Sequence, residues 1–208
     1  MNDFKYFSYE EFESSVIAKE HGIDNHIPDD NVRKNIRTLV GAVLDPLREL
    51  VGVPIYITSG YRCKELNKVL IGSKNSQHMV GQAADITTND LYGNMVMVIE
   101  LLCGHLMVEA DPELKGIDLQ LDKTVEFFDF DQLIMYRLTK DKTKFVWLHV
   151  SHKPNGGNRR QVMMCHNGEY SILDIEAQNR LVTDLAEQVT LHDNTLKDKY
   201  KPSKIQLQ

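Results

Sequence analysis

Cysteine is scarce in this chain. Cys63, Cys103 and Cys165 are far apart and form no CxxC pair, which excludes a disulfide framework and a cysteine-built zinc cluster. They read as reduced thiols of a protein made in the cytoplasm, most simply as core or incidental residues. Positive charge is also short. Lys and Arg number 24 against 30 Asp and Glu, a formal charge of -6, where a general nucleic-acid surface needs a basic stripe. The one notable basic pair, Arg159-Arg160, reads as the solvated start of a strand. Long apolar runs are missing as well: "MVMVIELLCGHLMV" is broken by Glu100 and His105 and is too short to span a bilayer. The opening "MNDFKYFSYEEF" is acidic and has no apolar core, so no secretory signal is expected. What is present, 42% apolar and 26% charged residues over 208 positions, suits one globular domain with a real core.

Periodicity divides the chain into helices first and strands later. "FSYEEFESSVIAKEHGI" reads as a short capped helix, with Ser8 three residues before Glu11. Val32, Ile36, Leu39, Val40, Val43 and Leu47 recur at helical spacing. Asp29 or Asp30 can cap that helix, and Pro46 should bend or restart it. "VPIYITSG" reads as a strand ended by Gly60, "CKELNKVL" as a helical turn, and residues 90–108 as a long helix ending near Gly104. The polar residues 110–126 fit no element. "FDFDQLIMYRL" and "TKFVWLHVSH" suggest a hairpin, and "RRQVMMCHNGEYSIL" another about Asn167-Gly168. The final helix shows an apolar face of Ile175, Val182, Leu185 and Val189, followed by a polar tail. The expected class is α+β, with N-terminal helices and a small antiparallel sheet.

Within "SQHMVGQAADI", His78 precedes Asp85 by seven residues around Gly81, Ala83 and Ala84. Small residues let backbone approach backbone, so the two polar side chains can converge. His149, in the strand "FVWLHVSH", is the third candidate; alternation puts it on the face of Trp147 and opposite His152. Two imidazoles and one carboxylate suit zinc better than magnesium or calcium, and a catalytic zinc takes three protein ligands plus water. Spacing alone is weak evidence for such a site.

The motifs carry a resemblance. "SQHMVGQAAD" resembles the SxHxxGxAxD motif of the zinc D-alanyl-D-alanine carboxypeptidases, a superfamily that includes vancomycin-resistance D,D-dipeptidases and phage L-alanyl-D-glutamate endolysins. "ITSGYRCKELN" resembles the strand and arginine turn that precede this motif, "FDQLI" followed by "WLHVS" resembles the segment carrying the last ligand, and "NRRQV" looks like the bacterial and phage branch, the resemblance running over roughly residues 4 to 163. The resemblance implies a Hedgehog/DD-peptidase-like fold in residues 1–166 with a C-terminal helical extension, residues 167–208. It implies one Zn²⁺ held by His78, Asp85 and His149. Arg62 would contact substrate or polarise its carbonyl, and Ser76 and Trp147 would line the substrate cleft.

It also exposes a mismatch. The branch usually carries a glutamate where this chain has Tyr136, and other branches place an acid where it has Val146. Three explanations stay open: another acid (Glu126, Asp129 or Asp141) serves as base; Tyr136 donates to the oxyanion; or the site binds without turnover. The expected function is a zinc metallopeptidase cleaving peptidoglycan peptides, a phage lysis (endolysin) or virion-associated protein that is made in the host cytoplasm and acts at the cell wall. The alternative is an impaired peptidase-like domain with a structural or wall-binding role in a phage particle. A phage structural partner would then dock on the C-terminal extension; no nucleic-acid partner and no transmembrane segment are expected.

Overall fold

Side-chain caps decide where the N-terminal helices begin. In the computed structural model, which describes residues 4–88, 90–103, 128–137 and 144–193, Ser8 and Glu11 form a reciprocal capping box on α1 (Tyr9–Glu13). The single helix expected here is two, because Ser15 starts α2 (Val16–Glu20) by accepting from Ala18 N–H. Asp29 caps α3 (Asp30–Leu39). At Pro46 the α-helical run restarts, as expected. A π-helical turn over Val40–Leu44 passes the chain into α4 (Asp45–Val51), and this wider turn accommodates the residue that lacks an N–H.

A six-stranded sheet is the second component: β1 (Tyr56–Ser59), β2 (Ala83–Thr87), β3 (Gln132–Arg137), β4 (Trp147–Ser151), β5 (Gln161–His166) and β6 (Glu169–Ile172), in the spatial order β1-β2-β4-β3-β5-β6. One pairing corrects the all-antiparallel expectation, since β3 and β5 run parallel. After β4 the chain crosses the start of β3 and sets off again beside it. Asp131 anchors that crossing. Its carboxylate is fully buried, is gripped by Arg159 through Nε at 2.9 Å and Nη2 at 2.5 Å, and meets Lys153 Nζ at 2.8 Å. Gln161 N–H then bonds Asp131 C=O.

Burial opposes charge on Asp131, yet hydrogen bonds from Arg159 and Lys153 hold its carboxyl well below the usual range. A depressed folded pKa contributes stability that is complete above the ordinary aspartate value of about 3.9 and is lost as pH falls. Asp131→Asn is therefore expected to cost about 3 kcal/mol near neutrality and to flatten the stability loss between pH 5 and pH 2. Urea midpoints across that range check both.

The described part of the chain shares one apolar cluster, which draws Phe12, Ile36, Leu44, Ile86, Leu133 and Val150 together with α6 (Leu91–Cys103). From Gly93 to Cys103 every residue of α6 is buried, as expected of a helix apolar on all sides. Cys103 lies in this interior, and burial pushes its thiol up to about 12. The last helix, α7 (Ile175–His192), lies against α6 and buries Leu181, Val182, Leu185, Ala186 and Val189. Val182 and Leu185 are thus committed to the chain's own core, whereas Ile175, expected on the same face, is half exposed. Asn167 and Gly168, both at positive φ, make the two-residue turn between β5 and β6. Among the described residues no helix is long and apolar enough to cross a membrane. Glu126, Asp141, Gly104, residues 110–126 and the polar tail after 193 fall outside them.

α5 (Lys64–Val69) ends in an uncommon way. Ile71 N–H bonds Lys68 C=O and Gly72 N–H bonds Asn67 C=O, a closure that normally puts glycine at the left-handed position. Here Ile71 takes it, at φ 53° and 93% exposed. Gly72 follows because a Cβ there would stand 2.2 Å from Asn67 Oδ1. Since a β-branched residue in this conformation costs about 1–2 kcal/mol, Ile71→Gly should raise unfolding stability by about 1 kcal/mol, measurable as a higher urea midpoint.

Candidate metal centre

Three backbone features bring His78, Asp85 and His149 together. His78 sits on a 3₁₀ turn (Gln77–Val80) closed by Gly81 at φ 72°. A side chain at Gly81 would collide with Val32 C=O at 2.8 Å, so the glycine allows the turn to lie against α3. Asp85 lies in the middle of β2, and His149 is its direct cross-strand partner on β4. A bulge between Ile57 and Ser59 turns β1 toward Gly60, whose carbonyl then meets the His78 ring.

The distances are those of a ligand set. His149 Nδ1 is 2.9 Å from Asp85 Oδ1, His78 Nε2 is 3.3 Å from the same oxygen, and the two ring nitrogens are 3.1 Å apart. All three donor atoms lie within 4.8 Å of one another. Tetrahedral zinc with bonds of about 2.0–2.1 Å separates its ligand atoms by roughly 3.3 Å, close to what is observed. His78 Nδ1 donates to Gly60 C=O at 2.7 Å, which fixes the tautomer and turns the Nε2 lone pair into the cluster. Burial lowers the His78 pKa in spite of Asp85, and the neutral ring is the form that binds metal. Burial also opposes charge on Asp85, but the two imidazoles hold its carboxyl far below the usual range. Two imidazole nitrogens and a carboxylate oxygen at these separations could hold a single metal ion.

Arg62 lies behind the cluster. Its Nη2 donates to Asp85 Oδ2 at 2.5 Å and its Nε to Ser59 Oγ at 2.9 Å. Nη1 makes no hydrogen bond among the described residues, and Arg62 is one of the residues that line the cleft. Arg62 thus orients a ligand and still presents a donor.

The cleft encloses about 810 Å³ and is lined in part by Ser76, Trp147 and Tyr136, all named from sequence. Tyr136 pairs with Trp147 across β3 and β4, and their rings stack at 4.7 Å. The Tyr136 hydroxyl meets that of Tyr170 at 3.2 Å. Burial, then the Tyr170 hydroxyl, pushes the Tyr136 phenol well above its ordinary value. It is a neutral donor and no base near neutrality. Asp129 is not brought to the cluster: it accepts from Asn158 Nδ2 at 2.8 Å, beside His152 on the far face. Among the described residues the carboxylates lining the cleft are Asp85 and Asp131, and both are engaged.

Residues 5–101 match the family model of peptidase M15. Over this segment, just under half of the chain, the protein is similar to the M15 peptidases. His78 and Asp85 lie inside the M15 segment, while His149 comes from 64 residues beyond Asp85 and converges with them in space. Family and cluster agree on a metallopeptidase. None of the curated proteins matches the chain.

Several positioning residues escaped the sequence reading. Asn94, buried on α6, accepts from Thr88 N–H at 2.8 Å and donates to Phe145 C=O at 3.0 Å, tying the end of β2 to the approach of β4. Nothing in its local pattern marks it. Tyr170, on a strand exposed throughout, became visible only through its contact with Tyr136.

Proposed function

We propose that this protein is a zinc-dependent peptidase that hydrolyses peptidoglycan stem peptides with a metal-activated water, acting at the cell wall as a phage lysis or virion-associated enzyme. The observation that carries the reading is the spacing of His78 Nε2, Asp85 Oδ1 and His149 Nδ1, which matches the ligand separations of one zinc ion. In this reading residues 1–166 form the DD-peptidase-like unit, with its helices on the sheet, and residues 167–208 extend it.

Zinc held by His78, Asp85 and His149 would supply Lewis acidity and would acidify a water to near neutrality. The chain's own residues do the rest. Gly60 C=O keeps His78 in the ligating tautomer, and Arg62 holds Asp85 in place. Arg62 Nη1 and the neutral Tyr136 hydroxyl are the donors that can meet an oxyanion developing on the scissile carbonyl. Ser76 and Trp147 border the peptide.

Purified protein loaded with one equivalent of zinc is expected to release soluble fragments from peptidoglycan. A chelator should stop release and added zinc restore it. Zinc-loaded protein that releases nothing sinks the hydrolase. The reading then left is a wall-binding peptidase-like module, favoured by the absence of an unengaged carboxylate among the described cleft residues.

A further inference from the structure

One wall of the cleft is a single stretch of chain. Leu70, Ile71 and Gly72 line it at one end, and Ser76, Gln77 and the ligand His78 at the other. Of the charged residues lining the cleft, Arg62, Asp85, Asp131, Lys153 and Arg159, none belongs to this stretch. The wall can therefore discriminate by shape and apolar surface but not by charge. Its far end is apolar and bare. Val69, Leu70 and Ile71 form a run of three exposed large apolar side chains, with Ile71 at 93%.

Core packing does not account for Ile71. An isoleucine at φ 53° is a backbone outlier, and a side chain so exposed contributes almost no buried surface in exchange. A second cost lies beside it: Asn67 is 4% exposed, and its Oδ1 has no hydrogen-bond partner among the described residues. The turn is nonetheless closely held. Asn67 C=O accepts from Gly72 N–H, and Asn67 Nδ2 donates to Ser73 C=O at 3.0 Å. Asn75 N–H donates to Ser73 Oγ, and Ser76 N–H to Ser73 C=O. A strained residue that its surroundings over-determine is typical of ligand clamps. Fixing it in advance lowers the ordering cost of binding.

We infer that Ile71, together with Leu70, is an apolar lip of the cleft that packs on an aliphatic group of the bound peptide and selects against a charged group at that position. The strained backbone serves to present this side chain on the wall that leads to His78. The inference rests on the peptidase reading for its substrate. Ile71 acts on binding and specificity and leaves bond cleavage to the metal cluster.

The test uses zinc-loaded protein and a synthetic stem tetrapeptide, with binding by calorimetry at several temperatures and cleavage by chromatography. Ile71→Asn suits the left-handed backbone and removes the apolar surface. It should raise the urea midpoint and yet weaken peptide binding about tenfold, through KM rather than kcat. Its heat-capacity change on binding should also be less negative than that of wild type. Ile71→Leu, which keeps an aliphatic side chain, should restore binding. A purely structural residue would give the stability gain with no loss of affinity. Unchanged affinity in Ile71→Asn, equal weakening in Ile71→Leu, or no binding of the peptide by wild type overturns the lip. So does an Ile71→Asn protein that changes its sedimentation while keeping its affinity, since that assigns the residue to a contact between copies. Wild type that binds without cleaving, with Ile71→Asn about tenfold weaker, sustains the lip and overturns the hydrolase instead.

Discussion

His149→Ala is expected to leave the purified protein without stoichiometric zinc and to bring peptide hydrolysis down to background. Losing the hydrogen-bond partner of a metal ligand already costs about 10–100-fold in affinity, so losing a ligand from a three-ligand set should exceed about 100-fold. His149 also closes the cluster from a different strand than Asp85, so neither neighbour can move into its place. The measurement is zinc content after dialysis, with competition against a chromogenic chelator. Exposed His26, paired with Glu13 and outside the cluster, supplies the control, and His26→Ala should hold its zinc. A His149→Ala protein that binds one zinc as tightly as wild type would remove the basis for the metal centre.

Tyr136→Glu is expected to raise kcat by about 10²-fold, the lower end of what a positioned general base contributes. The phenol lies on the same face as His149 and one pair along, and burial keeps it neutral. A carboxylate there would meet the same burial, with Asp85 nearby, and so titrate nearer to neutrality. The variant should therefore gain an acid limb in its kcat profile that wild type lacks. Stacking on Trp147 and the bond to Tyr170 are lost, at a cost of about 1 kcal/mol in stability. Tyr136→Phe separates the roles, because it keeps the stack and removes only the donor. Unchanged turnover in Tyr136→Glu would mean that another group already serves as base.

What could be read in advance followed from local chemistry. Ser8 with Glu11, Asp29, Asn167-Gly168 and the apolar period of α3 each set one feature through neighbours in sequence, and each appears as expected. The ligand triad was legible only through the order of its motifs, since a histidine and an aspartate seven apart have little meaning by themselves. Non-local choices stayed hidden. The strand Ala83–Thr87 opens on two alanines, poor strand formers, and is held there by β1 and β4 on either side. The parallel seam between β3 and β5 depends on a buried Asp131 gripped by residues 22 and 28 positions away. No periodicity encodes such a grip. Ile175 follows the apolar period of α7 but lies in its first turn, where the helix has not yet reached the interior.

The order β1-β2-β4-β3 sets a sequence of events for a chain emerging from the ribosome. Once "SQHMVGQAAD" has left the exit tunnel, 64 residues still separate Asp85 from the strand that must slot in beside it. A nascent chain halted before Trp147 holds at most two of the three chelating groups. Capture of an ion would thus coincide with completion of the tertiary fold, and added zinc would be expected to shift the balance toward that finished state by mass action.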